Sequence, residues 1–124
     1  MFFRSILLAV ALVICIAGAS SAQDWEFWGH VTYQNCDCTH ATDQVEIKRV
    51  VTAETWYYGV DCWRLGYNCG TQSFPTGSYQ LRIVADDEYC NKYYQVTQVY
   101  HTQGESQQVD LKIGPPGTPT GGDD

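Results

Sequence analysis

The chain has 124 residues, with seven Lys and Arg against fourteen Asp and Glu, and a formal net charge of −7. This acidic balance argues against nucleic acid and an anionic membrane surface as partners, because both are bound through basic surfaces. The length predicts one domain, whose core is small enough that cysteines are expected to add disulfide stability.

The first 22 residues have the features of a cleaved export signal. Arg4 is followed by an apolar run over residues 6–14, and the small residues Ser20 and Ala22 occupy the positions that a signal peptidase reads. The run is too short to span a bilayer, so we expect release and no membrane anchor. The mature chain then begins at Gln23, with 102 residues and a net charge of −8. The predicted location is secreted and extracellular, or periplasmic if the source is a Gram-negative bacterium.

Apolar and polar residues alternate with period two after the signal, which is typical of half-buried β-strands. The predicted strands span residues 25–33, 45–51, 55–58, 71–74, 78–84, 93–101 and 107–113. About seven short strands separated by turns indicate an all-β fold, a single small antiparallel β-sandwich. We assign this domain to residues 23–113 and predict a disordered Pro- and Gly-rich tail over residues 114–124.

Five cysteines remain after cleavage, so at least one has no partner within the mature chain. Cys36 and Cys38 are separated by one residue and rarely pair with each other, whereas Cys62 and Cys69 flank a turn-like segment. We expect a Cys62–Cys69 disulfide, with Cys90 joined to Cys36 or Cys38. The remaining thiol is either an unreactive buried group or an intermolecular bridge, which would make a covalent homodimer.

The segment SFPTGSYQLRIV, residues 73–84, resembles the signature of transthyretin-like sandwiches, especially carboxypeptidase regulatory-like and collagen-adhesin B-type domains. GHVTY, QVEIKRV and VDLKI resemble the opening, second and closing strands of that family. Residues 69–72 and 87–89 depart from its usual turns. The segment TYQNCDC is similar to the Cys-rich motif of a secreted pollen-allergen-like family. Both resemblances imply a non-enzymatic accessory, adhesive or interaction domain, with no catalytic residue to carry over.

The sequence has no Gly-x-Ser-x-Gly elbow, His-Glu-x-x-His motif, P-loop or dinucleotide glycine pattern. With the small size, this predicts a protein that is not an enzyme and needs no cofactor. Cys36, Cys38 and His40 form an alternative metal or redox site, since soft ligands suit copper or zinc. Disulfides are the expected state of such thiols after export, so no metal is predicted. The acidic residues 86–88 are interpreted as a solvated turn rather than a calcium site.

The mature chain is rich in amphipathic aromatic residues, with four Trp and nine Tyr. Such rings suit interfaces and stacking on ligands, although tyrosine is also common in strands for its β propensity alone. Adjacent rings in a strand point to opposite faces, so some must face outward. The candidate binding residues are Trp56, Tyr57, Tyr58, Trp63 and Tyr93. The predicted function is a secreted non-catalytic module that binds an extracellular protein or glycan. The alternatives are an extracellular disulfide-linked or polymeric assembly, and the metal or redox site.

Overall fold

The computed structural model describes residues 25–39 and 42–116, so the predicted signal peptide, His40 and residues 117–124 lie outside it. Its elements are β1 (Phe27–Tyr33), β2 (Gln44–Arg49), β3 (Thr55–Gly59), β4 (Gly66–Asn68), β5 (Gly77–Val84), α1 (Glu88–Asn91), β6 (Thr97–His101), β7 (Gln107–Gln108) and β8 (Leu111–Ile113). The prediction of an all-β sandwich is confirmed, since the strands form two sheets around one core.

Four strands in the order β3-β2-β5-β6 form the antiparallel sheet. In β2, buried Val45 and Ile47 alternate with the partly exposed Glu46 and Lys48. The same alternation continues in β5, where Ile83 is the register partner of Val45. Because side chains in a strand repeat with period two, the apolar residues of both strands share the inner face.

β1 lies at the centre of the second sheet, the mixed sheet. It pairs antiparallel with β4 along one edge and parallel with β7 and β8 along the other. The parallel pairs depart from a purely antiparallel sandwich. A Cβ atom at Gly29 would collide with the carbonyl of Val109, so glycine is what allows the segment between β7 and β8 to approach β1.

The core between the sheets is centred on Phe74, whose side chain is fully buried. The ring centroids of Phe27 and Trp56 lie 5.0 Å and 4.9 Å from that of Phe74, both edge-on. Tyr79 packs against the same ring at 5.8 Å. Edge-to-face contacts of this kind stabilise aromatic cores beyond the area they bury. Phe74 nevertheless belongs to no strand, and the predicted strand at residues 71–74 is wrong.

Other elements also differ from the predicted ones. Residues 66–68 form β4, where the sequence predicts a loop. Residues 88–91 form α1, because the carboxylate of Asp87 accepts the Tyr89 N–H at 2.8 Å and caps the helix. The predicted strand from residue 93 therefore begins only at Thr97. The predicted strand at residues 107–113 is divided into β7 and β8.

The described start of the predicted tail is packed against the domain. Gly114 is buried, and its N–H donates to the carbonyl of Tyr93 at 3.2 Å. The carbonyl of Pro115 accepts a hydrogen bond from the Asn35 side chain at 3.1 Å. These contacts extend the ordered chain beyond Ile113.

Within the described residues, the disulfides differ from the predicted ones. Cys36 is bonded to Cys90, which is one of the two alternatives expected for Cys90. Cys38 is bonded to Cys62, so the predicted Cys62–Cys69 disulfide is wrong. The Cα atoms of these pairs are 5.9 Å and 5.6 Å apart. Proximity along the chain misled the prediction, because Cys69 stands just beyond β4 and is buried in the core, whereas Cys62 pairs with Cys38.

Cys69 is the free cysteine of the described chain, and it is only 3% exposed. Its sulfur accepts the main-chain N–H of Phe27 at 3.2 Å. Burial raises the pKa of this thiol, and the reactive thiolate is therefore disfavoured. A covalent homodimer would need this sulfur at the surface.

Candidate functional site

Three of the predicted binding residues lie on β3, and they face in two directions. Trp56 and Tyr58 point inward, with ring centroids 4.9 Å and 6.4 Å from that of Phe74. Tyr57 points outward, is 51% exposed, and donates its hydroxyl to Glu46 at 3.0 Å. The expectation that part of this triplet faces solvent is confirmed for Tyr57, whereas Trp56 and Tyr58 pack against the core.

The other two predicted binding residues lie in separate parts of the molecule. Trp63 is 89% exposed in the loop between β3 and β4. Tyr93 follows α1, and its ring packs edge-on against Tyr89 with centroids 5.6 Å apart. The structure therefore does not bring the five predicted residues together in one surface.

The alternative metal site is not assembled in the described chain. The sulfurs of Cys36 and Cys38 are each bonded to another cysteine, and neither is a thiolate ligand. The third expected ligand, His40, lies outside the described residues. Among residues 25–39 and 42–116, no group of three or more His, Cys, Asp or Glu side chains is placed to hold a metal ion.

A groove of about 500 Å³ lies on the outer face of the mixed sheet, beside β1 and β4. We name it the tryptophan groove after its aromatic walls. The functional side chains along it are Trp25, Trp28, His30, Asp61, Arg64 and Asn68. Three of its other lining residues are glycines, and a Cβ atom at Gly59 would meet nothing within 4 Å. The missing side chain at Gly59 therefore leaves open space beside the groove.

Strand register places the polar and aromatic side chains of the groove. Trp28 is the partner of Asn68, and His30 is the partner of Gly66. Trp28 and His30 are two residues apart in β1, so both project from the outer face, with rings 6.3 Å apart. The indole Nε1 of Trp28 donates to the hydroxyl of Ser106 at 3.2 Å, which holds the ring in place.

Ser106 connects the two tryptophans of the groove. Its hydroxyl donates to the carbonyl of Trp25 at 2.8 Å while accepting from Trp28. Further along β1, the N–H of His30 donates to Asp110 at 2.9 Å. This hydrogen bond is the main cause that lowers the pKa of Asp110, so its carboxylate stays ionised near the groove.

The loop before β4 is braced by its own side chains. The Asp61 carboxylate accepts the N–H groups of Trp63 and Arg64 at 3.0 Å and 3.1 Å, as in an Asx turn. The Arg64 guanidinium lies 3.5 Å from the same carboxylate. Leu65 closes the loop with a positive φ of 53°, and Cys62 anchors it through the disulfide to Cys38. The loop thus presents Trp63 and Arg64 from a constrained backbone.

A buried carboxylate–histidine pair lies next to Trp25, at the start of β1. Glu26 lies between Trp25 and β1, and its carboxylate is 2.8 Å from Nε2 of His101. Burial alone would raise the pKa of Glu26, but hydrogen bonds from His101 and from the Phe74 N–H outweigh it and lower that pKa. The other ring nitrogen of His101 is 2.8 Å from the Gln107 side-chain oxygen. This network joins the start of β1 to the end of β6.

Sequence reasoning missed the tryptophan groove because its walls come from distant segments. The binding residues were chosen from runs of consecutive rings, and Trp25 and Trp28 stand alone. The signal that could have found them is Trp28 on the polar face of the predicted first strand, between Glu26 and His30. A large apolar ring at a solvent-facing position indicates a binding surface or a covering segment.

Comparison with protein-family models, with curated proteins and with solved structures gives no match. In the described part of the chain, no helix has the length and apolar character needed to cross a membrane.

Proposed function

We propose that the protein is a secreted, non-catalytic module that binds a glycan in the tryptophan groove. The observation that carries this proposal is a fixed indole, Trp28, in a groove where Gly59 leaves open space. Sugar rings have apolar C–H faces that stack on aromatic rings, and their hydroxyls pair with polar side chains such as Asn68 and Arg64.

The dimensions of the groove support a small ligand. Its volume of about 500 Å³ lies within the range of ordinary ligand clefts. Its walls are constrained before binding, since Ser106 holds the Trp28 indole and the Trp25 main chain, and Asp61 holds the Arg64 backbone. Constrained walls lose little conformational entropy on binding. A short oligosaccharide is the occupant that fits this size and chemistry.

Two further observations support the wider proposal. The two disulfides fit an oxidising compartment, as expected for an exported protein. The transthyretin-like resemblance remains a prediction, supported by the two-sheet architecture.

The test is a titration of the mature protein with a panel of neutral oligosaccharides, followed by calorimetry and tryptophan fluorescence. Trp25→Ala and Asn68→Ala should each weaken binding about tenfold, because each removes one wall of the groove. Tyr100→Ala is the control, since Tyr100 is 65% exposed on the other sheet. Equal losses in all three variants, or no binding across the panel at millimolar ligand, would contradict the proposal.

Trp63 supports a second candidate function, which is binding of a protein partner. Its side chain is 89% exposed on a loop braced by Asp61 and by a disulfide. Rigid exposed tryptophans are frequent anchors of protein interfaces. Immobilised wild-type protein and Trp63→Ala should then capture different proteins from the native extracellular fluid, whereas Trp25→Ala should match wild type. Identical capture by wild type and Trp63→Ala would remove this candidate.

A further inference from the structure

The outer face of the antiparallel sheet carries an ordered row of side chains that runs across the strands. Tyr57 on β3 donates its hydroxyl to Glu46 on β2 at 3.0 Å. Arg82 on β5 donates from Nε to the other oxygen of Glu46 at 2.9 Å. The Arg82 guanidinium also lies over the ring of Tyr94, 4.9 Å from its centroid. Four side chains from three strands and the loop before β6 are thus held in one arrangement.

A second row lies beside the first. Lys48 on β2 is the register partner of Gln80 on β5, and Gln80 in turn is the partner of Gln98 on β6. The amide of Gln80 donates to that of Gln98 at 3.4 Å. A groove of about 320 Å³ lies over the two rows, lined by Glu46, Lys48, Gln80, Arg82, Tyr94 and Val96. Its polar groups include the Gln80 amide and a lysine ammonium, with the Gln98 amide beside it on β6, and such groups suit oxygen-rich ligands.

The charge of this face is opposite to that of the whole chain. On the outer face of the antiparallel sheet, the strands carry two cations, Lys48 and Arg82, but one carboxylate, Glu46, in a chain of net charge −7. Arg82 is the largest cause that lowers the pKa of Glu46, so this carboxylate stays ionised and is already used by Arg82. Within the described residues, no carboxylate lies within ion-pair distance of Lys48. The face therefore offers one uncompensated positive charge.

From this charge complementarity we infer that the outer face of the antiparallel sheet binds an acidic polysaccharide, with Lys48 contacting a uronate carboxylate. Gln80 and Gln98 then pair with hydroxyls along the same chain, and the Tyr94 ring packs against a sugar face. The site lies on the opposite sheet from the tryptophan groove and does not depend on it. Ligands at the two outer faces would make the protein a bivalent polysaccharide binder.

The experiment compares polygalacturonate with its fully methyl-esterified form, using calorimetry on the mature protein. The charged polymer should bind at least about tenfold more tightly, because esterification removes the carboxylate that Lys48 contacts. Lys48→Gln should abolish most of this preference, and Lys48→Arg should restore it. Lys112→Gln is the matched control, since it removes an equal charge from an exposed position on β8. Rising salt should weaken binding of the charged polymer to the wild-type protein.

Several outcomes would overturn the inference. Equal binding of the two polymers would show that the carboxylates of the ligand play no role. Equal losses in Lys48→Gln and Lys112→Gln would show that the net charge of the protein, not Lys48, sets the preference. Polyglutamate that binds as tightly, with the same dependence on Lys48, would identify an acidic peptide as the ligand instead. Neutral oligosaccharides distinguish the two sites: Trp25→Ala should lose them and keep polygalacturonate, whereas Lys48→Gln should do the reverse.

Discussion

The two sheets of this sandwich are built in different ways and offer different surfaces. The antiparallel sheet has regular strands with a continuous register, and its outer side chains form hydrogen-bonded rows. The mixed sheet joins β1 to short strands far along the chain, and a groove lies beside β1 and β4. The regular sheet presents an ordered row of side chains, whereas the short strands of the mixed sheet and the loop before β4 border a groove.

The mixed sheet also depends more on long-range connections. Both disulfides attach the segment after β1 to later parts of the chain, with sequence separations of 54 and 24 residues. Glu26 and His101 connect the same strand to the end of β6. Short strands contribute few ladder hydrogen bonds, so these connections are expected to hold the mixed sheet in place.

Removing the disulfides is expected to have the largest effect on the mixed sheet. Opening Cys36–Cys90 with two Ser substitutions should lower the free energy of unfolding by about 4.2 kcal/mol, and opening Cys38–Cys62 by about 3.4 kcal/mol, from loop entropy. Urea unfolding under non-oxidising conditions measures both. Cys69→Ala controls for loss of a cysteine without loss of a bond. A larger cost for the shorter loop would show that local strain, not loop entropy, sets the order.

The next largest effect on stability is expected from the buried pair of Glu26 and His101. Glu26→Ala leaves His101 Nε2 and the Phe74 N–H without their acceptor, and should cost about 3 kcal/mol of unfolding free energy. Glu54→Ala is the matched control, since Glu54 is exposed in the turn between β2 and β3. Similar costs for both variants, measured by urea unfolding, would mean that the pair does not stabilise the sheet.

Trp56 and Trp63 are both predicted binding residues, but Trp56 packs against the core and Trp63 lies at the surface. Trp56→Ala should cost about 2 kcal/mol, because its ring packs against Phe74 in the core. Trp63→Ala should change stability by less than about 0.5 kcal/mol, because the ring is 89% exposed. Thermal unfolding of the two variants checks this. A destabilised Trp63→Ala would indicate that the loop supports the sheets.

Glu46, on the outer face of the antiparallel sheet, is expected to have a smaller and pH-dependent effect on the free energy of unfolding. The pKa of Glu46 is lowered from an ordinary 4.5, so its stabilising contribution is present above that pH and is lost as the pH falls through the lower folded value. Glu46→Gln should therefore be about 1 kcal/mol less stable than wild type at neutral pH. Urea unfolding at pH 7 and pH 3 should show this gap closing in acid. Glu54→Gln should show no gap at either pH.

How far the sequence predicts the structure differs between the two sheets. The alternation in β2 and β5 predicts both strands and their inner faces, because side-chain period is a local property of the chain. β4 has three residues, too few for a periodic signal, and Phe74 is buried from a segment without regular structure. The tryptophan groove lies beside β4, which the sequence does not predict. The sequence therefore predicts a binding module but does not locate its groove.

The sequence alone is enough to predict the all-β class and the amphipathic strands, and it predicts an unpaired cysteine once the signal peptide is removed. These follow from composition, counting and the period of two. Only the tertiary structure decides that Cys62 bonds to Cys38, that Trp56 faces the core, and that Trp28 lies across from Asn68. Each of these depends on which distant segments are adjacent, and sheet pairing, not local propensity, determines that adjacency.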